Sequence, residues 1–196
     1  MLNRLVVGTA NWAKEYNGHK VSEKEQSLIM DYMKEVGIEW IDVATAYGTE
    51  SIGFKQFKRI IKSDVMPPNW MSSDISMAHS PERYNRGFHE GVSAYKDEEI
   101  PLSAKCLSLP YSVLDSVLPY YPIGPHPSII ARSIFCKGKA LKYFSPRECI
   151  DFVLMNPRID KVIIGVDSVD QLKDNIAHLV KMEKFTHNEE VDTRKF

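Results

Sequence analysis

A carboxylate and a phenol lie close together in one short stretch of this sequence. Asp42 follows an apolar run that begins at Ile38, and Tyr47 comes five residues later, directly before Gly48. We expect a strand to end at Asp42 and a loop to carry Tyr47, so the pair offers one charged group and one acid that could donate a proton. The alternative is structural: the Asp ends a strand and the Tyr packs in its loop.

Strand and helix patterns alternate around this stretch. An apolar run over residues 5–8 predicts a buried strand. Ser22 and Glu25 form the pattern of a capping box, which predicts a helix that Gly37 ends. Because the next strand is predicted over 38–43, the order strand, helix, strand predicts a βαβ unit in a parallel sheet.

The remaining chain contains more predicted strands than helices. Roughly seven or eight strands but only about five helices are predicted by the apolar patterns. The two adjacent prolines, Pro67 and Pro68, make a continuous helix across 65–73 improbable, and the Pro- and Gly-rich segment 120–127 predicts a loop. Further strands are predicted over 59–62, 74–78, 106–114, 128–132 and 161–166, and further helices over 50–57 and 82–95, after Ser145 and after Ser168.

The length supports a small barrel. The 196 residues fall just under the ~200 residues at the low end for a complete (β/α)8 barrel. We therefore predict an α/β fold of the parallel TIM-barrel type, shortened, with helices missing around the middle of the chain, as one domain over residues 1–196. An open sheet from a broken barrel is the alternative, and it would expose edge strands.

Composition restricts the classes of partner. The chain is 43% hydrophobic and 26% charged with a net charge of −1, which does not favour a nucleic-acid or membrane-surface partner. No run approaches the ~20 apolar residues that span a bilayer. Cys106, Cys136 and Cys149 lack metal-ligand spacing and predict reduced thiols in a cytoplasmic protein, each a small buried residue.

Four stretches, in order along the chain, resemble one family. The segment 37–48 is similar to the "GI-x-x-hydrophobic-DTA-x-x-YG" signature of the aldo-keto reductases. The others are 8–12, 131–135 with Gly138, and 162–168 with Gln171 and Asn175. The resemblance implies hydride transfer from a nicotinamide cofactor to a small carbonyl substrate, which could be a sugar or a sugar derivative.

The resemblance also implies a catalytic set of four residues. Tyr47 matches the general acid, and Asp42 matches the carboxylate that pairs with a lysine. Lys62 is our candidate for that lysine, because its cation would stabilise the phenolate and it ends the third apolar run. Lys55 and Lys58 lie close by in the sequence and are the alternatives. His79, after the fourth predicted strand, resembles the histidine that orients the carbonyl, and a surface histidine is its structural alternative.

A second set resembles the cofactor-binding segments of the family. Gly165 after a strand and Ser168 at a helix start make an anion site by physics alone, because free N–H groups and the helix dipole favour phosphate. A turn and a cap are the structural alternative. The resemblance implies NADP(H) rather than NAD(H), with Arg158 and Lys161 near in sequence as candidates for the extra phosphate. The predicted cofactor-binding residues are Arg132, Ser133, Gly165, Val166, Asp167, Ser168, Gln171 and Asn175.

The sequence departs from the family in the middle of the chain. The Ser-Asn pair that follows the fifth strand of the family has no clear match between Tyr95 and Cys106, and Ser108 and Ser112 replace larger polar groups. Two hypotheses follow. The chain is a minimal reductase of a small carbonyl, or it is a catalytically impaired relative that binds a cofactor, a ligand or a protein. A third option is a structural relic with an exposed apolar face that pairs in a homodimer, which would make the protein a homo-oligomer.

Overall fold

A closed barrel of eight parallel strands forms the body of the molecule. The structure is a computed structural model and describes residues 1–16, 18–49, 54–65, 71–95, 100–116, 118 and 127–189. The strands are β1 (Leu5–Gly8), β2 (Trp40–Ala44), β3 (Lys58–Lys62), β4 (Ile75–Ala78), β5 (Gly91–Ser93), β6 (Cys106–Pro110), β7 (Ser128–Arg132) and β8 (Lys161–Gly165). Three α-helices accompany them in these residues: α1 (Glu23–Val36), α2 (Pro146–Leu154) and α3 (Val169–Glu189).

The barrel closes between its first and last strands. Every strand pairs in parallel with its neighbour, and β1 pairs with β8 in a register that sets Gly8 opposite Gly165. The predicted parallel barrel is therefore confirmed, and the open sheet is excluded because no edge strand is left. The shortening is also confirmed. In the described part of the chain, α-helices follow β1, β7 and β8. A short 3₁₀ turn follows each of β2 and β4, and turns or loops follow β3, β5 and β6.

Local capping explains where the helices begin and end. The Ser22 side chain accepts a hydrogen bond from the Glu25 N–H at 3.2 Å, and Gly37 ends α1 in the left-handed region with φ 82°. At α2 the capping box of Ser145 and Glu148 is reciprocal. At α1 it is only half formed, because the Glu25 carboxylate accepts the Val169 N–H at the start of α3 instead.

One predicted helix is wrong. The segment 82–95 contains β5 and short turns rather than a helix. The Asn85 side chain accepts the Gly87 N–H and the His89 ring accepts the Asn85 N–H, so local side-chain bonds compete with helical ones. Gly91 then packs so closely on β6 that an added Cβ would lie 2.2 Å from Cys106 Sγ. The spacing of the apolar residues in this segment fits both a helix and a strand, and these contacts favour the strand.

A second predicted helix, over 50–57, is not found where it can be described. Residues 54–57 form a turn, and residues 50–53 lie outside the described part of the chain. Thr49, just before this segment, is buried, and its hydroxyl accepts hydrogen bonds from Thr9 Oγ1 and from the Ala44 N–H. Most of the predicted loop over 120–127 also lies outside the described residues. None of the helices that the structure describes is long and apolar enough to span a membrane.

The interior of the barrel has an apolar layer below a polar one. Alternate residues of a barrel strand point inward, so a side chain two positions further along a strand lies one layer higher. The apolar layer consists of Val6, Ile60, Met77, Cys106, Ile130 and Ile163, with Trp40 packed against it. Two positions further along the same strands come the residues that we call the polar layer: Gly8, Asp42, Lys62, His79, Ser108, Arg132 and Gly165. This layer lies at the carboxyl ends of the strands, where barrels bind substrates.

Candidate active site

A buried ion pair lies in the polar layer. The ammonium of Lys62 donates to Asp42 Oδ1 at 2.6 Å, and each side chain is 4% exposed. β2 and β3 are neighbours, and their register sets Asp42 opposite Ile60, two residues before Lys62 on β3. The side chains of Asp42 and Lys62 are therefore close enough to pair. Burial by itself lowers the pKa of Lys62, but the adjacent Asp42 carboxylate raises the pKa above its ordinary value. Lys62 is therefore a permanent cation at neutral pH.

This pair distinguishes Lys62 from the two neighbouring lysines. Lys58 begins β3 at the opposite end of the barrel and forms an ion pair with Glu39 at 2.6 Å. Lys55 lies in the turn before that strand and is exposed. The structure therefore brings Lys62, and neither alternative, to Asp42.

Tyr47 lies on a short 3₁₀ turn, Thr45–Tyr47, that directly follows β2. Gly48 closes the turn with φ 74°, and Lys14 Nζ donates to the Ala46 carbonyl at 3.3 Å. The Lys62 Nζ atom lies 5.8 Å from the centroid of the Tyr47 ring. The side chain is half-buried, and its hydroxyl makes no hydrogen bond within the described residues. The phenol is thus held beside the buried pair with its hydroxyl available to a ligand.

The electrostatics of Tyr47 combine opposing influences. The Lys62 cation is the largest influence and lowers the pKa of Tyr47, in the direction expected of a cation that stabilises the phenolate. Burial and the Asp42 carboxylate together outweigh it, so the pKa lies above its ordinary value of 10.0. At neutral pH Tyr47 is therefore a protonated phenol, which can donate a proton and cannot accept one.

His79 follows β4 and lies one layer above Met77, which is part of the apolar layer. Its Nε2 atom is buried and has no hydrogen-bond partner among the described residues. Burial first, and the Lys62 cation second, lower the pKa of His79 below its ordinary value of 6.5. The ring is therefore neutral at neutral pH, and its orphaned nitrogen is free to bond a ligand.

An open cleft borders this group. It has a volume of 580 Å³ and is lined by Thr45, Ala46, Asp64, His79, Ser80, Glu82 and Arg83. At the rim, Arg83 forms an ion pair with Asp64 at 2.5 Å. A small molecule can thus enter on the β4 side and meet His79 with the Tyr47 turn beside it.

Arg132 ends β7 and turns across the barrel mouth toward β5. One Nη atom donates to the Ala94 carbonyl at 3.0 Å, and the guanidinium carbon lies 4.7 Å from the centroid of the Tyr95 ring. The Nε atom is buried and has no partner in the part of the chain that the structure describes. Ser133, the next residue, is exposed and has φ 57°, a left-handed conformation that is unusual for a side chain other than glycine.

Two serines were missed or misplaced by the sequence analysis. Because β5 lies inside the segment predicted as a helix, the Ser-Asn pair was expected between Tyr95 and Cys106. The fifth strand in fact ends at Ser93, and Ala94 follows, so the serine is present and the asparagine is not. Ser108 lies in the polar layer, fully buried, with no partner for its hydroxyl among the described residues. Counting by two from Cys106 of the apolar layer finds Ser108, and the strand register then pairs Ser93 with it.

Ser112, by contrast, has a local structural role. Its hydroxyl lies 3.0 Å from Cys136 Sγ and accepts the N–H groups of Leu114 and Asp115. These bonds hold the turn after β6, so Ser112 is not part of the polar layer.

The predicted cofactor end lies between β8 and α3. An added Cβ on Gly165 would meet nothing within 4 Å, so open space lies over the end of β8. The N–H groups of Asp167, Val169 and Gln171, around the start of α3, already have side-chain partners in the chain. Ser168 Oγ accepts the Gln171 N–H at 3.1 Å, and Gln171 Oε1 accepts the Asp167 N–H at 2.8 Å.

Two carboxylates also lie at this end. Glu25 Oε1 accepts the Val169 N–H at 2.5 Å, and the Asp167 carboxylate accepts a hydrogen bond from the Asn11 amide. Val166 and Asn175 are buried, and Gln171 is exposed. The structure thus brings these predicted residues into one region, but the chain's own groups occupy most of the donors around the start of α3.

The lysine near this segment in sequence is far from it in space. Lys161 begins β8, so it lies at the opposite end of the barrel from Gly165. Its Nζ atom lies 4.2 Å from the centroid of the Trp40 ring. Arg158 precedes that strand and lies at the same opposite end. Neither residue is placed to bind a phosphate at Gly165.

The barrel is similar in fold to solved structures of other proteins. The sequence matches no protein-family model and no curated protein. Two solved structures, each described as a "putative aldo-keto reductase" from Pseudomonas aeruginosa, match with TM-scores of 0.61 and 0.59. They share 13% and 14% identity with this chain, and in both cases the match covers 91% of this chain and 89% of the other. The chain has an aldo-keto-reductase-like barrel fold. At this identity the likeness concerns the fold.

The mouth of the aldo-keto-reductase-like barrel fits a nicotinamide group. The buried orphan atoms, His79 Nε2, Ser108 Oγ and Arg132 Nε, can bond a polar planar ligand, and Gly8 and Gly165 add no side chain to the layer. The start of α3 fits a phosphate less well, because the Glu25 carboxylate already takes the Val169 N–H. A dinucleotide would therefore have to displace Glu25 to use that helix end.

Proposed function

We propose that this protein is a nicotinamide-dependent oxidoreductase of the aldo-keto reductase type that reduces a small carbonyl compound, with Tyr47 as the acid. One observation carries the proposal: the buried Lys62–Asp42 pair lies beside a protonated Tyr47 whose hydroxyl has no partner in the described residues. A packing tyrosine needs no buried cation beside it, and an isolated buried ion pair is costly to form.

Each residue of the group has a distinct part in such a reduction. Bound NAD(P)H would supply the hydride. Tyr47 donates a proton to the oxygen that becomes the alcohol. As the proton leaves, the phenolate is stabilised by Lys62, whose own charge Asp42 maintains. His79, neutral and orphaned at Nε2, donates a hydrogen bond to the carbonyl oxygen and holds it near Tyr47.

The resemblance of the sequence to the aldo-keto reductases implies NADP(H) as the cofactor. It would bind over Gly165 and along the carboxyl ends of β7 and β8. Arg132 and Ser133 would lie beside the nicotinamide end. Val166, Asp167, Ser168, Gln171 and Asn175 form the segment that would face the adenosine phosphate. The carboxylates of Glu25 and Asp167 lie in the same region and would repel an additional phosphate.

A second candidate function is a binding module that has lost turnover. Two observations favour it. The Glu25 carboxylate accepts the Val169 N–H at the start of α3, and Ala94 follows β5 where the family has an amide side chain. Such a protein would still bind a small ligand in the barrel mouth or a protein partner at its surface.

Coenzyme titration separates the two candidates. NADPH and NADH are titrated into the purified protein by fluorescence, followed by a panel of small aldehydes and ketones with Tyr47→Phe in parallel. Saturable binding and carbonyl reduction that the Phe variant loses would support the reductase. No binding of either coenzyme at millimolar concentration would overturn it and leave the binding module.

A further inference from the structure

A buried histidine joins the two chain segments that form the walls of the cleft. His89 is 3% exposed and lies two residues before β5. Its Nε2 atom lies 2.7 Å from the carbonyl oxygen of Ser63, the residue that follows β3. Its Nδ1 atom lies 2.9 Å from the backbone nitrogen of Asn85, in the segment that follows β4. One imidazole ring therefore bridges the segments that leave two neighbouring strands.

The two partners define the protonation of the His89 ring. The Ser63 carbonyl can only accept a hydrogen bond, so Nε2 carries the proton, and the Asn85 N–H can only donate, so Nδ1 carries none. Burial lowers the pKa of His89 below its ordinary value of 6.5, against the smaller effects of the Ser63 carbonyl and the Asp64 carboxylate. The ring is therefore neutral at neutral pH and makes both hydrogen bonds at once.

The bond to His89 fixes the chain directly after the buried cation. Ser63 is fully buried, its N–H donates to the Met77 carbonyl at 3.0 Å, and its own carbonyl accepts from His89. A buried carbonyl that loses its partner is costly, so this backbone is held where the histidine can reach it. Lys62 is the residue before Ser63, and Asp64, which lines the cleft, is the residue after it.

The segment after β4 forms the other wall of the cleft. It begins with His79 and continues through the 3₁₀ turn Pro81–Arg83. The ion pair of Arg83 with Asp64 links the two walls at the rim, but its side chains are 56% and 41% exposed, and an exposed pair contributes little. His89 makes its two hydrogen bonds away from water, so it is the stronger link between the walls.

We propose that His89 is a positioning residue of the reductase, which holds the segments after β3 and β4 together so that His79 can orient a carbonyl beside Tyr47. The inference deepens the proposed function and rests on it. His89 itself touches neither the substrate nor the coenzyme, and it acts through the backbone next to Lys62 and through the segment that begins with His79. Because a displacement of about 1 Å at a reacting group can lower a rate about 100-fold, such a link affects turnover as well as stability.

Three variants separate the two hydrogen bonds of the ring. His89→Gln keeps a donor near Nε2 for the Ser63 carbonyl, His89→Asn keeps an acceptor near Nδ1 for the Asn85 N–H, and His89→Ala keeps neither. Rates for the best aldehyde of the panel are expressed per coenzyme-binding site, so that unfolded protein is not counted. We expect kcat/KM to fall about 10- to 100-fold in His89→Ala and His89→Asn, mainly through kcat, and less than about 3-fold in His89→Gln. The Kd of NADPH should stay unchanged in all three.

His178 supplies the matched control for a purely structural role. It is 9% exposed, and its Nε2 atom lies 2.6 Å from Asp151 Oδ1, where α3 packs against α2. His178→Ala should lower the melting temperature and leave kcat and KM per site unchanged. An equal fall of kcat/KM in His178→Ala, or a His89→Gln variant no better than His89→Asn, overturns the proposal. The comparison of Gln with Asn decides the test even where His89→Ala does not fold.

A chemical probe separates failure of this inference from failure of the reductase proposal. Diethyl pyrocarbonate acylates neutral imidazole nitrogens that are open to solvent, and mass spectrometry measures the rate at each histidine. His79 Nε2 is buried, so His79 should react slowly relative to the exposed His19. This ratio of rates should rise several-fold in His89→Asn and return in His89→Gln, which supports the positioning of His79 even where no carbonyl is reduced. A ratio that is the same in the wild type and in His89→Asn overturns the proposal, whatever the activity.

Discussion

Lys62 Nζ lies 2.6 Å from Asp42 Oδ1 inside the barrel, where both side chains are almost entirely buried. Few positions in a protein hold a charged pair so far from water, because each ion loses several kcal/mol of hydration. The two residues come from adjacent strands and meet above an apolar layer that contains Ile60. The consequence is a fixed cation beside Tyr47, which is the feature that a protonated tyrosine needs when it gives up its proton.

Removal of one member of this pair should destabilise the fold. Asp42→Ala leaves the Lys62 ammonium buried and uncompensated, so we expect a loss of about 3–5 kcal/mol in the free energy of unfolding. Urea denaturation measures it. Asp31→Ala breaks an exposed pair with Lys34 and should cost less than about 1 kcal/mol. Equal losses in the two variants would contradict the buried character of the Asp42 pair.

Tyr47→Phe should remove activity without loss of stability. The hydroxyl makes no hydrogen bond within the described residues, so its deletion breaks no contact, while a lost general acid costs about 10²- to 10⁴-fold in kcat. Steady-state kinetics and thermal unfolding measure the two effects. Tyr143→Phe, at a side chain that is 76% exposed, is the control and should change neither. A Tyr47→Phe enzyme with normal kcat would show that another group donates the proton.

The polar layer shows which parts of the site could be predicted from the sequence. Asp42, Lys62 and His79 each end an apolar run, and a parallel barrel brings the ends of its strands together, so their convergence could be predicted from the order of the strands. Choosing Lys62 over Lys58 needed the register, because the two lysines lie at opposite ends of one strand.

The parts that could not be predicted depend on contacts between distant residues. β5 is only three residues long and was hidden by apolar spacing that also fits a helix, and the close approach of Gly91 to Cys106 that fixes it is not visible in the sequence. The partner of Glu25 was likewise unpredictable. Its local pattern fits a capping box, but the carboxylate bonds to Val169, 144 residues away. Tertiary structure decides both cases.

The pH dependence of reduction should reflect the two shifted groups. The Lys62 cation lowers the pKa of Tyr47, but burial and the Asp42 carboxylate together outweigh it. The pKa therefore lies above 10.0, and the acid stays protonated through neutral pH. The pKa of His79 lies below 6.5 because of burial and the Lys62 cation, so the ring stays neutral down to that pH. We expect kcat/KM for reduction to be flat from about pH 7 to about pH 10 and to fall at higher pH.

The matched variant for the pH profile is His79→Gln. It keeps a hydrogen-bond donor that does not titrate, so any decline below pH 6.5 in the wild type should disappear while the alkaline decline remains. An alkaline decline that begins well below pH 10 would contradict the raised pKa of Tyr47.

Glu25→Ala should have opposite effects on folding and on coenzyme binding. The carboxylate links α1 to the start of α3 through the Val169 N–H, so its loss should cost about 1 kcal/mol of stability. The same change frees that N–H and removes a negative charge, so NADPH should bind more tightly. Glu23→Ala, at an exposed residue in the first turn of α1, is the control. Unchanged coenzyme affinity in Glu25→Ala would place the phosphates away from α3.

Gly91→Ala should be among the most damaging single changes in the barrel. An added Cβ would lie 2.2 Å from Cys106 Sγ and 2.4 Å from the Cys106 carbonyl oxygen. The carbonyl belongs to the β5–β6 pairing and cannot move without breaking it, so we expect a loss of about 3 kcal/mol or more in the free energy of unfolding. Gly165→Ala is the matched control, because a Cβ there meets nothing within 4 Å and should cost less than about 0.5 kcal/mol. Adding Cys106→Ala removes the clash with sulfur but not the one with the backbone, so the double variant should recover only part of the loss. Full recovery would show that the sulfur alone requires glycine at this position.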